Sequence, residues 1–438
     1  MIKKIRAFVK QLKPLPISNK FFAGIFASLL SLGASVLMQI VSVPLFLKIG
    51  GPEFLGTWLL LLSVFNIISL MDFGYFESIS AAMAHHALSS NPNRAQELLD
   101  AGLAIIIGLL MIGLIFSAAY IRISEHSYWY KISFCFACLS IVFAQAQRLW
   151  LACFRSQDNF GTGLLIISIL AIVYPLGVLL TAWLSHSIEA VLVCIGAIQF
   201  VGTLGIMKFT QKRTGWHGNW GRFNKVLTLA EVKRAAVGNI AMPSALAMWN
   251  SGFIIFITST LGPTAAAVFN TVRVLFRVPL QLHSIFNASL GIKIGHLEIT
   301  GKRIQAAKLL QIGFGLGLAF FGCGFLIYNF GDAVYNLWTK GHLQFDRSLA
   351  FFFIFDTGAV IMLLFIFAVL QNRQKTLICG ISTFCSTSLA LTALYFQKYM
   401  GWEVTLREIA FWHVTASIFS VVFALLELKR TSPNVRKT

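Results

Sequence analysis

Twelve stretches of the chain are apolar over a length that can cross a lipid bilayer, and polar breaks separate them. They lie at about 21–47, 54–80, 98–121, 131–153, 160–183, 188–208, 235–261, 264–294, 309–330, 348–370, 376–396 and 408–427, against the roughly 20 residues that a helical span needs. Only helices and closed barrels satisfy backbone groups in lipid, and runs of this length are helical. The pattern predicts an all-α polytopic membrane protein of about 12 transmembrane helices. The longest polar break, Thr210 to Arg234, carries seven basic residues when Lys208 at its edge is included. It predicts a basic linker over 210–234 between an N-terminal six-helix lobe (21–209) and a C-terminal six-helix lobe (235–427). Residues 1–20 form a basic tail and 428–438 a second tail.

One predicted span breaks the apolar rule. Between Ala265 and Ile294, Arg273 and Arg277 lie well inside the run. Counted from Pro263, they stand roughly 15 and 20 Å into a hydrocarbon core about 30 Å thick. An arginine facing lipid there costs about 2.5–3.5 kcal/mol, and two would endanger insertion. Asn270, Arg273, Arg277, Gln281 and Ser284 step by three or four residues and so share one helix face. That face predicts one wall of a wet, cationic cavity at mid-membrane. The plainer alternative is a structural arginine pair bonded to carbonyls or to a buried acid.

Other spans add polar groups. The first has a stripe of Ser28, Ser31, Ser35, Gln39 and Ser42. Its serines suit close helix packing, and Gln39 suits a cavity wall. The seventh has Asn250 beside Trp249 and, on the same face, Asn239. The second has Asn66, with Asp72 and Glu77 toward its cytoplasmic end as candidate gate residues. Asp356 is the acid placed near mid-bilayer. Two readings stay open for it: a static pair with Arg273 or Arg277, or a protonatable coupling site. Pro44, Pro243 and Pro279 predict bends in the helices assigned to the cavity. His283 reads as a packing residue, and Cys135 and Cys138, a CxxC within an apolar helix, do likewise. Nucleotide loops, HExxH and clustered metal ligands are absent from the sequence, so no metal, cofactor or enzymatic activity is expected.

The net charge of +19 would suit nucleic acid, yet it follows topology. With the N-terminus inside, 26 Lys and Arg fall on the cytoplasmic side and seven on the outer side. The positive-inside rule then places both termini in the cytoplasm. A weak internal repeat at an offset of 211 supports the six-plus-six division: Gly51-Pro52 matches Gly262-Pro263, Gly102 matches Gly313, and Gln39 matches Asn250. Six helices per unit give the two lobes the same orientation, a parallel pseudo-repeat. At this offset Asn66 falls opposite Arg277.

The segment Ser42 to Gly74 resembles the start of bacterial polysaccharide-unit flippases. These are the O-antigen and related lipid-linked oligosaccharide translocases of the multidrug/oligosaccharidyl-lipid/polysaccharide exporter superfamily. The resemblance rests on Pro44, Gly50-Gly51, Gly56, Trp58 and Asp72 to Gly74. It implies two six-helix lobes around a cationic cavity in the bacterial inner membrane. It also implies transfer of an undecaprenyl-pyrophosphate-linked oligosaccharide unit to the outer leaflet by alternating access, as part of polysaccharide biosynthesis. Partners would be that lipid-linked sugar, membrane lipids, and a polysaccharide polymerase with its chain-length machinery, and not nucleic acid. Arg273, Arg277, Asn270, Gln281, Gln39, Asn66 and Asn250 would line the binding site. The alternatives are an ion-coupled multidrug or cation antiporter of the same superfamily and, more remotely, a membrane glycan polymerase or transferase.

Overall fold

A computed structural model describes residues 19–72, 74–88, 91–156, 160–218, 230–299, 302–372 and 377–431. Residues 219–229 of the 210–234 linker, residues 1–18 of the first tail and 432–438 of the second lie outside this set. Among the described residues all regular structure is helical. The run Asn19–Ile68 is two helices, because Gly51 inside it is not helical. They are named α1 (19–50) and α2 (52–68). A tight turn, Ser69–Asp72, leads to α3 (Tyr75–Leu88). There follow α4 (Pro92–Ile123), α5 (Tyr128–Ser156), α6 (Phe160–Ser185) and α7 (Ile188–Thr214). The second half has α8 (Ala230–Ala247), a π-helical turn Met248–Gly252, α9 (Phe253–Leu261) and α10 (Pro263–Ile299). It closes with α11 (Arg303–Thr339), α12 (Arg347–Asn372), α13 (Leu377–Tyr399) and α14 (Leu406–Thr431).

Taken as spans, α2 with α3 and α8 with α9 each form one broken crossing, and the remaining helices form one crossing apiece. This is the expected set of twelve. Ten stretches of described residues are long and apolar enough to cross a membrane, one of them (Gln39–Met71) holding two helices. Two helices lie wholly outside those stretches, the short α3 and α10, which carries the arginines. Large apolar side chains cover the outside, Phe116, Leu326 and Leu389 being 68, 59 and 70% exposed. A belt of that extent suits hydrocarbon, and the chain is a multi-pass membrane protein.

Local sequence explains the ends. Asn91 caps α4 by accepting from the Arg94 amide (3.3 Å), with Pro92 at the first helical position. Thr405 and Glu408 form a reciprocal capping box at the start of α14. Asp346 accepts the Ser348 and Leu349 amides ahead of α12.

The repeat has a backbone signature. Gly51 (φ 69°, ψ −166°) and Gly262 (φ 91°, ψ 170°) share a conformation essentially reserved for glycine. Each breaks the chain just before the proline that starts the next helix. Helices α1, α2 and α3–α7 pack mainly among themselves, as do α8–α14. The two sets meet where α10 lies against the α1–α2 stretch and where α3 lies against α8. At the first of these junctions Gly56 sits directly under the Pro263 carbonyl.

That approach yields a stability prediction. A Cβ on Gly56 would overlap the Pro263 backbone, which no rotamer change relieves. Gly56→Ala is expected to lose about 1–3 kcal/mol or more. Gly108→Ala, in a helical position with open space around it, is expected to gain up to about 1 kcal/mol. Thermal unfolding of the two variants in detergent checks the opposite signs.

Candidate functional site

The polar face of α10 points to the middle of the molecule. Asn270, Arg273, Arg277 and Gln281 line a cavity of about 1000 Å³, joined by Gln39 from α1, Asn66 from α2 and Asn250 from the π turn. All seven residues expected at a binding site therefore reach one space. Ser42, Trp58, Trp249 and Pro243 line it too. Among its described lining residues there is no carboxylate.

The arginines are held by neutral oxygens. Arg273, only 4% exposed, donates to the Asn250 carbonyl (3.3 and 3.2 Å) and to Asn270 Oδ1 (2.9 Å). Its guanidinium lies 5.6 Å from the Phe269 ring centre and 6.0 Å from that of Trp249, a cation–π setting. Half-buried Arg277 donates to Asn250 Oδ1. Gln281 Nε2 donates to Gln39 Oε1 (3.2 Å), and Asn66 Nδ2 to Ser251 Oγ (3.4 Å). These last two bonds run between the halves.

The π turn explains why Asn250 serves both arginines. A π-helical turn pairs each amide five residues back instead of four, which leaves local carbonyls without their usual partners. Asn250 Nδ2 takes the Leu246 carbonyl (2.8 Å), and Arg273 takes that of Asn250. The irregular backbone thus faces the cavity, where a polar wall is tolerated in a membrane protein.

Asp356 corrects one expectation. It does not pair with either arginine. Its Oδ1 accepts from Ser417 Oγ (2.7 Å) and lies 3.0 Å from His413 Nδ1. Asp356 and His413 are 2 and 0% exposed. The physical reason is placement: α14 packs against α12 and brings two polar residues to the carboxylate, whereas α10 turns its arginines to the cavity. The network reaches the wall through Trp249, whose Nε1 donates to Ser417 Oγ (2.9 Å) and whose ring lies 4.6 Å from that of His413.

The side chains of Asp72, Glu77, Ser28, Ser31, Ser35 and Asn239 lie outside the described residues. Ser284 bonds back to the Gln281 carbonyl and is not a cavity residue. His283 is 1% exposed between Phe320 and Phe365, away from the cavity. The sequence reading missed Arg148. It counted this residue as basic charge at the cytoplasmic side, but α5 presents it, exposed, to the cavity. Its position within an apolar run was the available signal.

No protein-family model matches the chain, and no curated protein matches it in sequence. Solved structures do. An inward-facing multidrug resistance MATE family transporter of the MOP superfamily superposes with a TM-score of 0.65 at 15% identity, covering 93% of this chain and 96% of that one. An outward-facing MATE family transporter gives 0.60 at 16% identity, with 94 and 97% covered. A MOP superfamily transporter from Pyrococcus furiosus, described as having a binding pocket of reversed polarity that suggests a different function, gives 0.60 at 13% identity, with 94 and 95% covered. The chain has the fold of these transporters over nearly its whole length.

The Asp356 network carries its own prediction. Ser417→Ala would remove the acceptor of the buried Trp249 N–H and a donor to Asp356. The expected loss is about 1–3 kcal/mol for each group left unsatisfied. It is read as a lower unfolding midpoint in detergent, with the Trp249 emission shifted.

Proposed function

We propose that this protein is a flippase for a lipid-linked oligosaccharide. It would carry an undecaprenyl-pyrophosphate-linked repeat unit from the cytoplasmic to the outer leaflet of the bacterial inner membrane by alternating access. The observation that carries this reading is the pair Arg273 and Arg277, both lining a cavity without a described carboxylate. Neutral oxygens hold the guanidiniums in place and leave their positive charge for a ligand. Moving an unpaired ion into hydrocarbon costs on the order of tens of kcal/mol, so a pyrophosphate head needs such a route. Arginine offers planar paired donors that suit phosphate oxygens. Gln39, Asn66, Asn250, Asn270 and Gln281 supply amides for sugar hydroxyls, while the polyprenyl tail stays in lipid. On this reading no covalent step is catalysed.

The rival reading is a multidrug or cation antiporter, which the named activity of several fold neighbours favours. Fold alone does not decide function, and one neighbour is described by the reversed polarity of its pocket. A site for organic cations needs acids, and the described lining of this cavity holds arginines instead.

Arg273→Ala and Arg277→Ala are each expected to stop transfer of a fluorescent lipid-pyrophosphate-sugar in proteoliposomes, at near-normal membrane insertion. Complementation of strains lacking defined glycan flippases, scored by surface polysaccharide, gives the cellular readout, and normal surface glycan in both mutants would exclude the site. Export of a cationic dye with no movement of the lipid-linked sugar would favour the antiporter.

Asp356 is proposed as the coupling residue. With His413 it forms a buried hydrogen-bonded pair inside the bundle, the setting in which intramembrane carboxylates serve as relays. Asp356→Asn is expected to abolish transport driven by a pH gradient while sparing substrate binding. Unchanged gradient-driven transport removes this assignment.

A further inference from the structure

A second chamber of about 590 Å³ adjoins the cavity inside the first half, between α1, α2, α5, α6 and α7. Gln39, Ser42, Trp58, Leu62 and Arg148 line both spaces, so the two share a wall. Arg148 stands at their junction. It makes no hydrogen bond or ion pair with a described residue, unlike the arginines of α10.

The chamber is neither a greasy slot nor a water channel. The rings of Trp58 and Tyr174 and the aliphatic side chains of α6 give it apolar surface. Gln39 and Ser42 are already bonded, and the Gln147 amide nitrogen shares its two N–H groups among the Gln199 carbonyl, Gln199 Oε1 (2.9 Å) and Thr203 Oγ1 (3.1 Å). That leaves the Gln199 amide nitrogen, the Tyr174 hydroxyl and the Trp58 indole N–H without partners among the described residues. A polyprenyl or acyl chain here would desolvate all three and a guanidinium, at a cost with no return. Pockets with apolar walls and a few convergent polar groups hold small polar molecules. Rings that cover C–H faces, set beside unspent donors, suit sugar rings.

Charge narrows the choice further. A neutral sugar would leave Arg148 without a counter-charge in a partly desolvated site. We infer that the chamber receives the glycan part of the substrate, that this glycan bears an ionised sugar, and that Arg148 binds its anionic group. The inference rests on the flippase reading and adds to it a second anion-binding position, on α5 of the first half. A uronic acid carboxylate and a sugar phosphate share the chemistry required.

Three fluorescent lipid-pyrophosphate-linked trisaccharides test it in proteoliposomes of the full chain: one neutral, one with a uronic acid and one with a phosphorylated hexose. Wild type is expected to move at least one ionised unit about tenfold faster than the neutral one, a difference of the size of one charge-assisted contact. The faster ionised unit identifies the group. Arg148→Gln is expected to bring that ratio close to one, and Arg148→Lys to keep part of it. A wild-type preference for the neutral unit, or a ratio untouched by Arg148→Gln, overturns the inference.

Calorimetric binding of free trigalacturonate and of a free phosphorylated trisaccharide to the purified chain separates the two readings. Neither probe carries a lipid or a pyrophosphate. At least one is expected to bind about tenfold more weakly to Arg148→Gln and more weakly to Trp58→Phe. Arg148-dependent binding with no flipping of any lipid-linked unit would sink the flippase reading and leave the chamber as a site for an anionic glycan. Flipping with a ratio indifferent to Arg148 would do the reverse. Binding of neither probe to wild type also overturns the inference.

Discussion

The arrangement depends on how two guanidinium groups are kept in a low-dielectric interior with no carboxylate among the described residues bonded to them. An ion pair would be the ordinary solution, because a counter-charge offsets lost hydration. Here carbonyl and amide oxygens take its place: Asn250 through both its backbone and its side chain, and Asn270 through its side chain. Aromatic faces of Trp249 and Phe269 complete the shell of Arg273. The difference matters for function. A carboxylate would cancel the charge and leave the cavity neutral, whereas dipoles lower the cost of burial and leave the positive potential in place. The acid nearest to this role, Asp356, is turned away and occupied by His413 and Ser417.

The π turn at Met248–Gly252 makes this possible. A regular helix hides its carbonyls in its own ladder, and so offers a buried arginine little. One wide turn releases acceptors at a fixed depth, and the side chain of Asn250 recaptures one of them at Leu246. The same five residues hold Trp249, which touches Arg273 on one side and bonds to Ser417 on the other. A proton shift at Asp356 and His413 would therefore reach the cavity wall through a single indole. On the proposed function, Trp249 is a physical link between the coupling residue and the headgroup site.

Much of this was legible along the chain, for local reasons. The three- and four-residue steps from Asn270 to Gln281 fix a helix face whatever the rest of the fold does, and all four of those residues reach the cavity. Paired Gly-Pro junctions 211 residues apart share one backbone conformation, because that conformation admits glycine. The failures were long-range. Nothing near Asp356 in sequence announces His413, which comes from another helix 57 residues away. Arg148 was taken as topology charge because a basic residue near a span end looks the same whether it snorkels to the interface or lines a cavity. The π turn has no composition signal that separates it from the helix around it.

The repeat also shows where the two halves diverged. The offset of 211 carries Leu59, Leu62, Asn66 and Leu70 of the first half onto Asn270, Arg273, Arg277 and Gln281. All eight line the same cavity. The duplicated helices thus present the same face to the same space, one largely apolar and the other polar and cationic. A free anion would be served equally by two polar walls, and a greasy cation by neither arginine. A cavity with one charged wall and one leucine wall suits an amphiphile held by its head on one side and brushing apolar surface on the other. A lipid-linked sugar phosphate has that character. In this light the exposed Arg148 belongs to the first half for a reason: α2 has no charge to offer there, and α5 supplies it beside the chamber that α10 does not line.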